Sequence, residues 1–376
     1  MIFTILLAVG LACVLIAIIM TANNLRIYTI APAASPDEAV LITVCIPARN
    51  EEANICACVD SVLAGTHRNV EVLVYNDQST DRTGEIVTEI SARDGRVRVV
   101  ATAALPDGWN GKQWGCHQMG TDATGEWVLF TDADVRFSPD CLARTHARAL
   151  ALKAELLSTF PREQTGTLGE ALIVPLIHFV LLSYLPMRRM RVSTSPAASA
   201  GCGQFLFVRR EAYLASGGHA AFPASMHDGI MLPRMLRRAG HKTDLFDGTD
   251  MANCRMYRGF GQTWRGFAKN AYEGLGSVGL LIFVTVIHLL GHVLPPAYLI
   301  YAAIAGDAPR NWVALAALAV GLALLHRIWL AVRFGQSIVG ALLHPVGIML
   351  MTAIQWQSFV LAKLGRRAWR GRVQAV

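Results

Sequence analysis

The sequence predicts an α/β fold, with a mostly parallel sheet covered by helices, in a chain that also contains membrane-spanning helices. Two observations lead to this prediction. Between residues 40 and 131, short runs rich in β-branched residues alternate with amphipathic helical stretches, an order typical of parallel sheets. Hydrophobic residues also make up 53% of the chain and charged residues only 16%, a balance that excludes a disordered or simple soluble protein.

Four long segments contain almost no charged residues, and each exceeds the roughly 20 apolar residues that span a bilayer. The first segment could also begin a signal peptide, but it lacks the positively charged start of such peptides. We therefore predict an N-terminal transmembrane helix at 1–25, an α/β domain at 38–274, C-terminal membrane segments within 275–363 (about 275–304, 311–332 and 336–362), and a basic tail at 363–376.

The net charge of +7 is concentrated near the C-terminus. Eight basic residues and no acidic residue follow residue 307, which leaves the rest of the chain at −1. This excess fits juxtamembrane charge retained in the cytoplasm better than it fits nucleic-acid binding. We expect a multi-pass protein of the inner cell membrane, with its α/β domain on the cytoplasmic face and no nucleic-acid partner. The eight cysteines include no CxxC pair, and we interpret them as reduced thiols.

Each element of the α/β domain follows from a local pattern of apolar residues. Ligands of parallel sheets bind beyond the carboxyl ends of the strands, so the residues directly after each strand are candidates for function. The predicted strands are 40–47, 70–76, 97–101 and 127–131, and the predicted helices are 51–63, 83–92, 113–123 and 229–239.

Charged and polar side chains follow three of these strands. PARNEE occupies 47–52, NDQSTDRT occupies 76–83, and TDAD occupies 131–134. The Asp-x-Asp pair formed by Asp132 and Asp134 can hold a divalent metal that also takes phosphate oxygens. Asp is also common in ordinary turns, but the position of this pair after a buried strand favours a ligand site.

With these motifs the chain resembles the family 2 glycosyltransferases of the nucleotide-diphospho-sugar fold, called GT-A. The resemblance runs from about residue 40 to residue 274 and is strongest for membrane-bound lipid glycosyltransferases. These are the bacterial carotenoid-acid and hopanoid-associated types and, more distantly, ceramide glucosyltransferase. The motifs that carry it are PARNEE (47–52), NDQSTDRT (76–83), LPDGWNGKQWG (105–115), TDAD (131–134), GCGQFLFVRREAYLASGGH (201–219), the region of Asp228, and MYRGFGQTWRGFAKN (256–270).

The resemblance implies a role for each matched position. Asp228 would be the general base that deprotonates the acceptor, and Lys112 would approach the diphosphate. Asp134, with Asp132 beside it facing the sugar or ribose, would hold Mg²⁺ or Mn²⁺ across the two phosphates. Inversion at the anomeric carbon would follow from a single displacement. The nucleotide would contact Pro47, Ala48, Arg49, Glu51, Asp77, Lys112 and Asp132.

Two positions depart from the family pattern. His227 stands where relatives place an acidic residue, and it either pairs with the base or only fills space. Residues 262–266 form an incomplete version of the Gln-x-x-Arg-Trp signature of processive synthases. The resemblance places the acceptor or diphosphate region at His227, Gln262, Trp264, Arg265, Lys269, Trp369, Arg370 and Arg372.

A further apolar stretch lies at 168–187. It is marginal for a span, and a span there would put Asp134 and Asp228 on opposite sides of the membrane. We therefore predict an interfacial or re-entrant helix, with a buried helix of the α/β domain as the alternative. Three full spans after residue 274 would place the basic tail outside, so we also expect one C-terminal segment to be re-entrant.

These features predict a membrane-bound, metal-dependent, inverting glycosyltransferase that moves a hexose from a nucleotide sugar, most simply a UDP-sugar, to a lipid acceptor such as a carotenoid, a hopanoid or a sphingolipid. One alternative is a processive polysaccharide synthase, against which the incomplete signature argues. Another is a catalytically silent membrane scaffold, against which the retained carboxylates argue. The sequence specifies neither the sugar, nor the lipid, nor the oligomeric state.

Overall fold

The computed structural model describes residues 2–366 and the backbone of residues 368–369 and 372–373. The chain divides into two compact units, each assembled from segments that are distant in sequence. The α/β domain predicted at 38–274 is shared between them. The sheet unit comprises Ile27–Gln164, Met187–Met256 and Gly365–Val376, and the helical unit comprises Met1–Arg26, Thr165–Pro186 and Tyr257–Leu364.

The sheet unit contains a seven-stranded sheet of order β3-β2-β1-β4-β8-β6-β9 and a three-stranded sheet of order β5-β10-β7. The backbone of the tail adds a two-stranded pair, β11 and β12. The strands are β1 Ile42–Ala48, β2 Val70–Asn76, β3 Val97–Val100, β4 Trp127–Phe130, β5 Val135–Phe137, β6 Leu156–Ser158, β7 Arg162–Glu163, β8 Leu206–Arg209, β9 Thr243–Leu245, β10 Ala252–Cys254, β11 Ala368–Trp369 and β12 Arg372–Val373.

The α-helices of both units are numbered together in chain order. They are α1 Ile2–Leu25, α2 Ile55–Leu63, α3 Thr83–Arg93, α4 Gly111–Asp122, α5 Cys141–Leu152, α6 Leu168–Ile173, α7 Leu176–Tyr184, α8 Met187–Val192, α9 Arg210–Ala215, α10 Asp228–Arg238, α11 Phe260–Ala268, α12 Ala271–Leu275, α13 Val278–His288, α14 Leu294–Ala305, α15 Arg310–Arg333, α16 Ile338–Leu342 and α17 His344–Lys363.

Strand β1 lies inside the large sheet, and its burial explains why the sequence predicts it. It pairs in parallel with β2 on one side and β4 on the other, and all of its residues are buried. A strand covered on both faces needs a continuous apolar run, which is what ITVCIPA supplies. The predicted α/β class is confirmed.

The helix predicted at 51–63 starts later than expected, at Ile55. The backbone N–H of Glu51 donates instead to Oγ1 of Thr83, at 2.8 Å, and that of Glu52 donates to Asp81, at 3.1 Å. These bonds hold the segment after β1 against the loop after β2, so its first residues form a turn rather than a helix.

The helical unit contains four helices that are long and apolar enough to cross a membrane by length and composition, namely Ile2–Leu25, Val278–Ala305, Arg310–Arg333 and His344–Lys363. The stretch Leu168–Tyr184 is apolar but shorter. It packs closely on the C-terminal helices, because a Cβ atom at Gly347 would lie 2.5 Å from the carbonyl oxygen of Leu172.

The Pro295-Pro296 pair does not divide its helix. A π-helical stretch, Leu289–Val293, joins α13 to α14 directly before the prolines. The wider turn of this stretch lets the helix continue through two prolines, which have no backbone N–H to donate. The chain does break between α16, which ends at Leu342, and α17, which begins at His344. Pro345 lies in the first turn of α17, where a backbone N–H has no partner within the helix.

Candidate active site

The loops after β1 and β2 each turn through a residue with left-handed backbone geometry. Asn50 has a φ of 55° and Gln78 a φ of 50°. Asn tolerates this region because its short amide side chain bonds to nearby backbone. Here the side chain of Asn50 accepts a hydrogen bond from the backbone N–H of Thr80, at 2.8 Å. The two loops are therefore fastened together at the carboxyl edge of the sheet.

An ion pair crosses between the same two loops. The Arg49 guanidinium donates to the carbonyl oxygen of Asp77 at 2.5 Å and lies 3.5 Å from its carboxylate. Pro47 and Ala48 are the last two residues of β1, and Glu51 is held in the following turn by the side-chain amide of Asn54, at 2.9 Å. The structure thus brings together the residues that were predicted to contact the nucleotide at 47–51 and 77.

Lys112 is positioned by the first turn of α4. Asn110 caps this helix, since its side-chain oxygen accepts from the backbone N–H of Lys112 at 2.9 Å. The cap is in turn tied to the segment before α10: the backbone N–H of Asn110 donates to Pro223, and Gln113 donates to Ser225 at 3.1 Å. The start of α4 and the start of α10 are consequently held next to each other.

The ammonium group of Lys112 bridges two predicted site carboxylates. Its Nζ atom lies 2.7 Å from Oδ1 of Asp132 and 3.0 Å from Oδ2 of Asp228. Burial alone would lower the pKa of Lys112, but these two carboxylates outweigh burial and raise it well above its ordinary value. Lys112 therefore stays protonated, and it joins Asp132 to Asp228, which lies 96 positions later in the chain.

Asp228 is the first residue of α10 and is buried. Its Oδ1 atom accepts from the backbone N–H of Gly229 at 2.9 Å, as expected for a carboxylate at a helix start. Burial raises the pKa of Asp228, whereas Lys112 and His219 lower it, and the net effect is a lowered pKa. The neighbouring His227 is half-buried and donates its backbone N–H to Ser225 at 3.0 Å.

Two glycines allow this carboxylate to sit where it does. A Cβ atom at Gly203 would overlap Oδ1 of Asp228, and one at Gly201 would lie 2.8 Å from the carbonyl oxygen of Gly229. The GCG of the motif at 201–203 thus acts as a cradle for the start of α10. The motif was part of the sequence resemblance, but its steric reason becomes visible only in three dimensions.

Asp132 and Asp134 follow β4 and differ in their surroundings. Asp132 is paired with Lys112, whereas Oδ1 of Asp134 is buried without a hydrogen-bond partner. Burial, followed by the charge of Asp132, raises the pKa of Asp134 to about 6. Among the described residues no group of three His, Cys, Asp or Glu side chains could by itself hold a metal ion. The Asp-x-Asp pair fits a cation that takes its other ligands from phosphate and water, because a divalent ion would satisfy the unpaired oxygen.

A third carboxylate was missed by the sequence prediction. Both carboxylate oxygens of Glu163 are buried without a hydrogen-bond partner. Burial raises its pKa well above the ordinary value, and the charges of Asp134 and Asp132 raise it further. Glu163 directly follows Pro161 and Arg162 in a two-residue strand, so no periodic pattern marked it.

The residues predicted from the segment 256–270 belong to the helical unit. Within that unit Gln262 accepts from the backbone N–H of Arg258 at 2.9 Å, and the indole of Trp264 donates to Gln357. Arg265 is exposed, and Lys269 is the C-cap residue directly after α11. Arg370 lies outside the described residues, as do the side chains of Trp369 and Arg372.

Residues 43–215 match the sequence model of glycosyl transferase family 2. The 4,4'-diaponeurosporenoate glycosyltransferase of Staphylococcus aureus (strain USA300) is 28% identical over 351 residues, which cover 89% of this chain and 88% of that protein. Its counterpart in the bovine strain RF122 / ET3-1 is 27% identical with the same coverage. The predicted resemblance and the predicted enzyme class, a glycosyltransferase, are confirmed.

A solved structure is similar over almost the whole chain. It is the mannosyltransferase PcManGT from Pyrobaculum calidifontis in complex with GDP-Man and Mn²⁺, with a TM-score of 0.59 at 18% identity, covering 94% of this chain and 98% of that one. At this identity the similarity establishes the fold, and the predicted GT-A architecture with apolar terminal helices is confirmed.

Proposed function

We propose that this chain, which carries a glycosyl transferase family 2 domain, transfers a hexose from a nucleotide sugar to a lipid acceptor with inversion at the anomeric carbon. The observation that carries the proposal is the ion-pair network of Lys112 with Asp132 and Asp228, in which Asp228 is buried and Lys112 nearly so. It joins a cation suited to a diphosphate with a carboxylate suited to an acceptor hydroxyl. The network includes Asp132, which follows β4, so it reaches a strand end where ligands of such sheets bind.

Asp228 serves the acceptor side of the reaction. Its carboxylate takes the proton of the acceptor hydroxyl while the acceptor oxygen forms a bond to the anomeric carbon. The bond from that carbon to the diphosphate oxygen breaks in the same step. One displacement by one acceptor inverts the anomeric configuration, and no second carboxylate is needed as a nucleophile.

Lys112 serves the leaving-group side. Negative charge develops on the diphosphate as it departs, and a buried ammonium next to it stabilises that charge strongly because water does not screen it. The N-terminus of α4 adds backbone N–H groups at the same place. A bound Mg²⁺ or Mn²⁺ would act as a Lewis acid on the phosphate oxygens, and Asp134 together with Asp132 would hold it.

Arg49, Asp77 and Glu51 would form the nucleotide pocket. The Arg49–Asp77 pair fixes the two strand-end loops, and a guanidinium beside a carboxylate would offer a donor and an acceptor to a base. A uracil base is our first choice of ligand, and GDP-sugars are the control, because PcManGT was solved with GDP-Man.

Two observations support a lipid acceptor. The relatives at 28% and 27% identity are named for diaponeurosporenoate, a carotenoid acid, and they align over most of both chains. The described part of the chain also contains four helices that are long and apolar enough to cross a membrane. They would hold the enzyme at the bilayer that contains its lipid acceptor. We place the chain in the inner cell membrane with the sheet unit on the cytoplasmic face, because its basic C-terminal residues favour that side.

Transfer into lipid tests this proposal directly. Purified protein in detergent is given labelled UDP-sugars and GDP-sugars with Mn²⁺ and a total lipid extract, beside the Asp228→Asn variant. A labelled lipid made by the wild type and not by the variant is the expected result, and mass spectrometry of it identifies sugar and acceptor together. If the wild type binds none of these nucleotides and labels no lipid, the proposal is wrong.

A further inference from the structure

Glu163 stands out among the acidic residues of the sheet unit. In the part of the chain that the structure describes, it is the only carboxylate with both oxygens buried and unpartnered. The acidic residues of this unit that are buried as whole residues have partners. Glu51 bonds to Asn54, Asp77 to Arg49, Asp228 to Lys112, Asp244 to Arg191 and Asp247 to Thr249.

The position of Glu163 relates it to the Asp-x-Asp pair. Strand β7 pairs in parallel with β10, with Glu163 opposite Cys254, and Cys254 is in turn opposite Val135 of β5. Asp134 is the residue directly before Val135, the first residue of β5. Asp134, Cys254 and Glu163 therefore follow one another across the three-stranded sheet.

The cations nearby are already engaged. Lys112 contacts Asp132 and Asp228, and no salt bridge in the described residues involves Asp134 or Glu163. The guanidinium of Arg136 donates to the carbonyl oxygens of Ala133 and Val135, at 3.1 and 2.9 Å. The buried carboxylate oxygens of Asp134 and Glu163 thus have no ion-pair partner among the described residues.

Leaving a buried carboxylate without a partner destabilises the folded protein. An arrangement that persists at this cost is expected where a ligand completes it. Hard divalent cations prefer carboxylate oxygens and take about six ligands. Since the described residues offer no three-residue metal cluster, most of those ligands would come from phosphate and water.

Building on the proposed function, we propose that Glu163 helps to hold the divalent cation of the donor complex, as a third acidic group beside Asp132 and Asp134. Asp134 contacts the ion, and Glu163 neutralises and orients it from the strand on the far side of Cys254. The site takes Mg²⁺ or Mn²⁺ together with a nucleoside diphosphate, and it binds the cation weakly without one.

The test measures cation binding rather than activity. Free Mn²⁺ is followed by electron paramagnetic resonance in the presence of saturating UDP, and in parallel GDP, for the full chain in detergent. The variants are Glu163→Gln, Asp134→Asn and, as a matched control, Glu126→Gln, whose side chain is 51% exposed in a loose pair with Arg209. We expect Glu163→Gln to weaken Mn²⁺ binding about tenfold or more, the effect typical of removing a supporting group at a metal site.

Thermal unfolding without metal gives an independent readout. Gln has the shape of Glu but no charge, so Glu163→Gln should raise the unfolding temperature of the metal-free protein while reducing the increase that Mn²⁺ and UDP produce. Glu163→Asp keeps the charge on a shorter side chain and should retain part of the Mn²⁺ affinity. Nucleotide binding without metal should be the same in all of these variants.

The outcomes separate this inference from the proposed function. The role of Glu163 would be overturned if Glu163→Gln bound Mn²⁺ as tightly as the wild type while Asp134→Asn bound it more weakly. That result would leave the proposed transferase site intact. Wild-type protein that binds nucleotide but no Mn²⁺ would overturn both the role of Glu163 and the metal dependence. Wild-type protein that binds neither would overturn the proposed function as well.

Discussion

The ammonium of Lys112 lies 3.0 Å from the carboxylate of Asp228, so the proposed base of the reaction is held in a buried ion pair. Such a pair keeps Asp228 ionised, and its lowered pKa also makes it a weak proton acceptor. A bound diphosphate offers Lys112 a second anionic partner. We expect donor binding to draw Lys112 away from Asp228 and so to strengthen the base only when the sugar is in place.

Replacement of Asp228 tests the chemistry of the acceptor. Asp228→Asn keeps the shape of the side chain and the bond from Gly229 but cannot take a proton. Transfer to a lipid hydroxyl should fall by about 10²–10⁴-fold, the usual contribution of a general base. A carboxylic acid acceptor is already ionised at neutral pH, so its transfer should fall much less. Comparing kcat for both acceptors measures the difference.

The control for that comparison is Asp122→Asn, since Asp122 is 48% exposed and pairs only with Arg98 at 3.4 Å. Its kcat should equal that of the wild type with either acceptor. Equal losses of transfer to hydroxyl and carboxyl acceptors in Asp228→Asn would show that Asp228 positions substrate instead of accepting a proton.

Removal of the Lys112 charge should change the pH profile. Lys112 lowers the pKa of Asp228, so Lys112→Met should raise that pKa and move the acidic limb of kcat/KM to higher pH. The stabilising contribution of Asp228 is present above its unfolded pKa of 3.8 and is lost as the pH falls through the lowered folded value. In Lys112→Met, that loss should begin at a higher pH.

The same variant should be less stable at neutral pH by about 3–5 kcal/mol, the effect of removing one partner from a buried ion pair. Denaturant unfolding in detergent measures this difference. Lys242→Met, at an exposed position, is the matched control and should be nearly neutral. An unchanged acidic limb in Lys112→Met would argue that another group controls the ionisation of Asp228.

The glycine cradle gives a prediction about geometry. In Gly203→Ala the new methyl group would overlap the carboxylate of Asp228 and displace it. A misplacement of about 1 Å at a reacting group can lower the rate about 10²-fold, so kcat should fall by that order while nucleotide binding stays intact. Gly95→Ala is the control, because its methyl group would meet nothing within 4 Å. Full activity of Gly203→Ala would show that Asp228 need not occupy this position.

The carboxyl-edge residues could be predicted because their signal is local. Arg49, Asp77, Asp132 and Asp134 each follow a buried apolar run directly, and parallel pairing then brings the strand ends together. Glu163 could not be found in this way, because its place depends on pairing with Cys254, 91 positions later in the chain. The division of residues 165–186 and 257–274 from the sheet unit likewise rests on long-range packing that no local pattern encodes.

The last prediction concerns packing among the apolar helices. A Cβ atom at Gly10 of α1 would overlap the carbonyl oxygen of Leu290 in the π-helical stretch, so the two backbones meet where only glycine fits. Gly10→Ala should lower the free energy of unfolding by about 1–3 kcal/mol, as overpacking does. In Gly321→Ala, on α15, the methyl group meets nothing within 4 Å, and stability should be unchanged. Thermal unfolding of both in detergent measures this, and equal midpoints would mean that α1 and the π-helical stretch do not pack this closely. Neither variant touches the sheet unit, so nucleotide binding at low temperature should be normal in both.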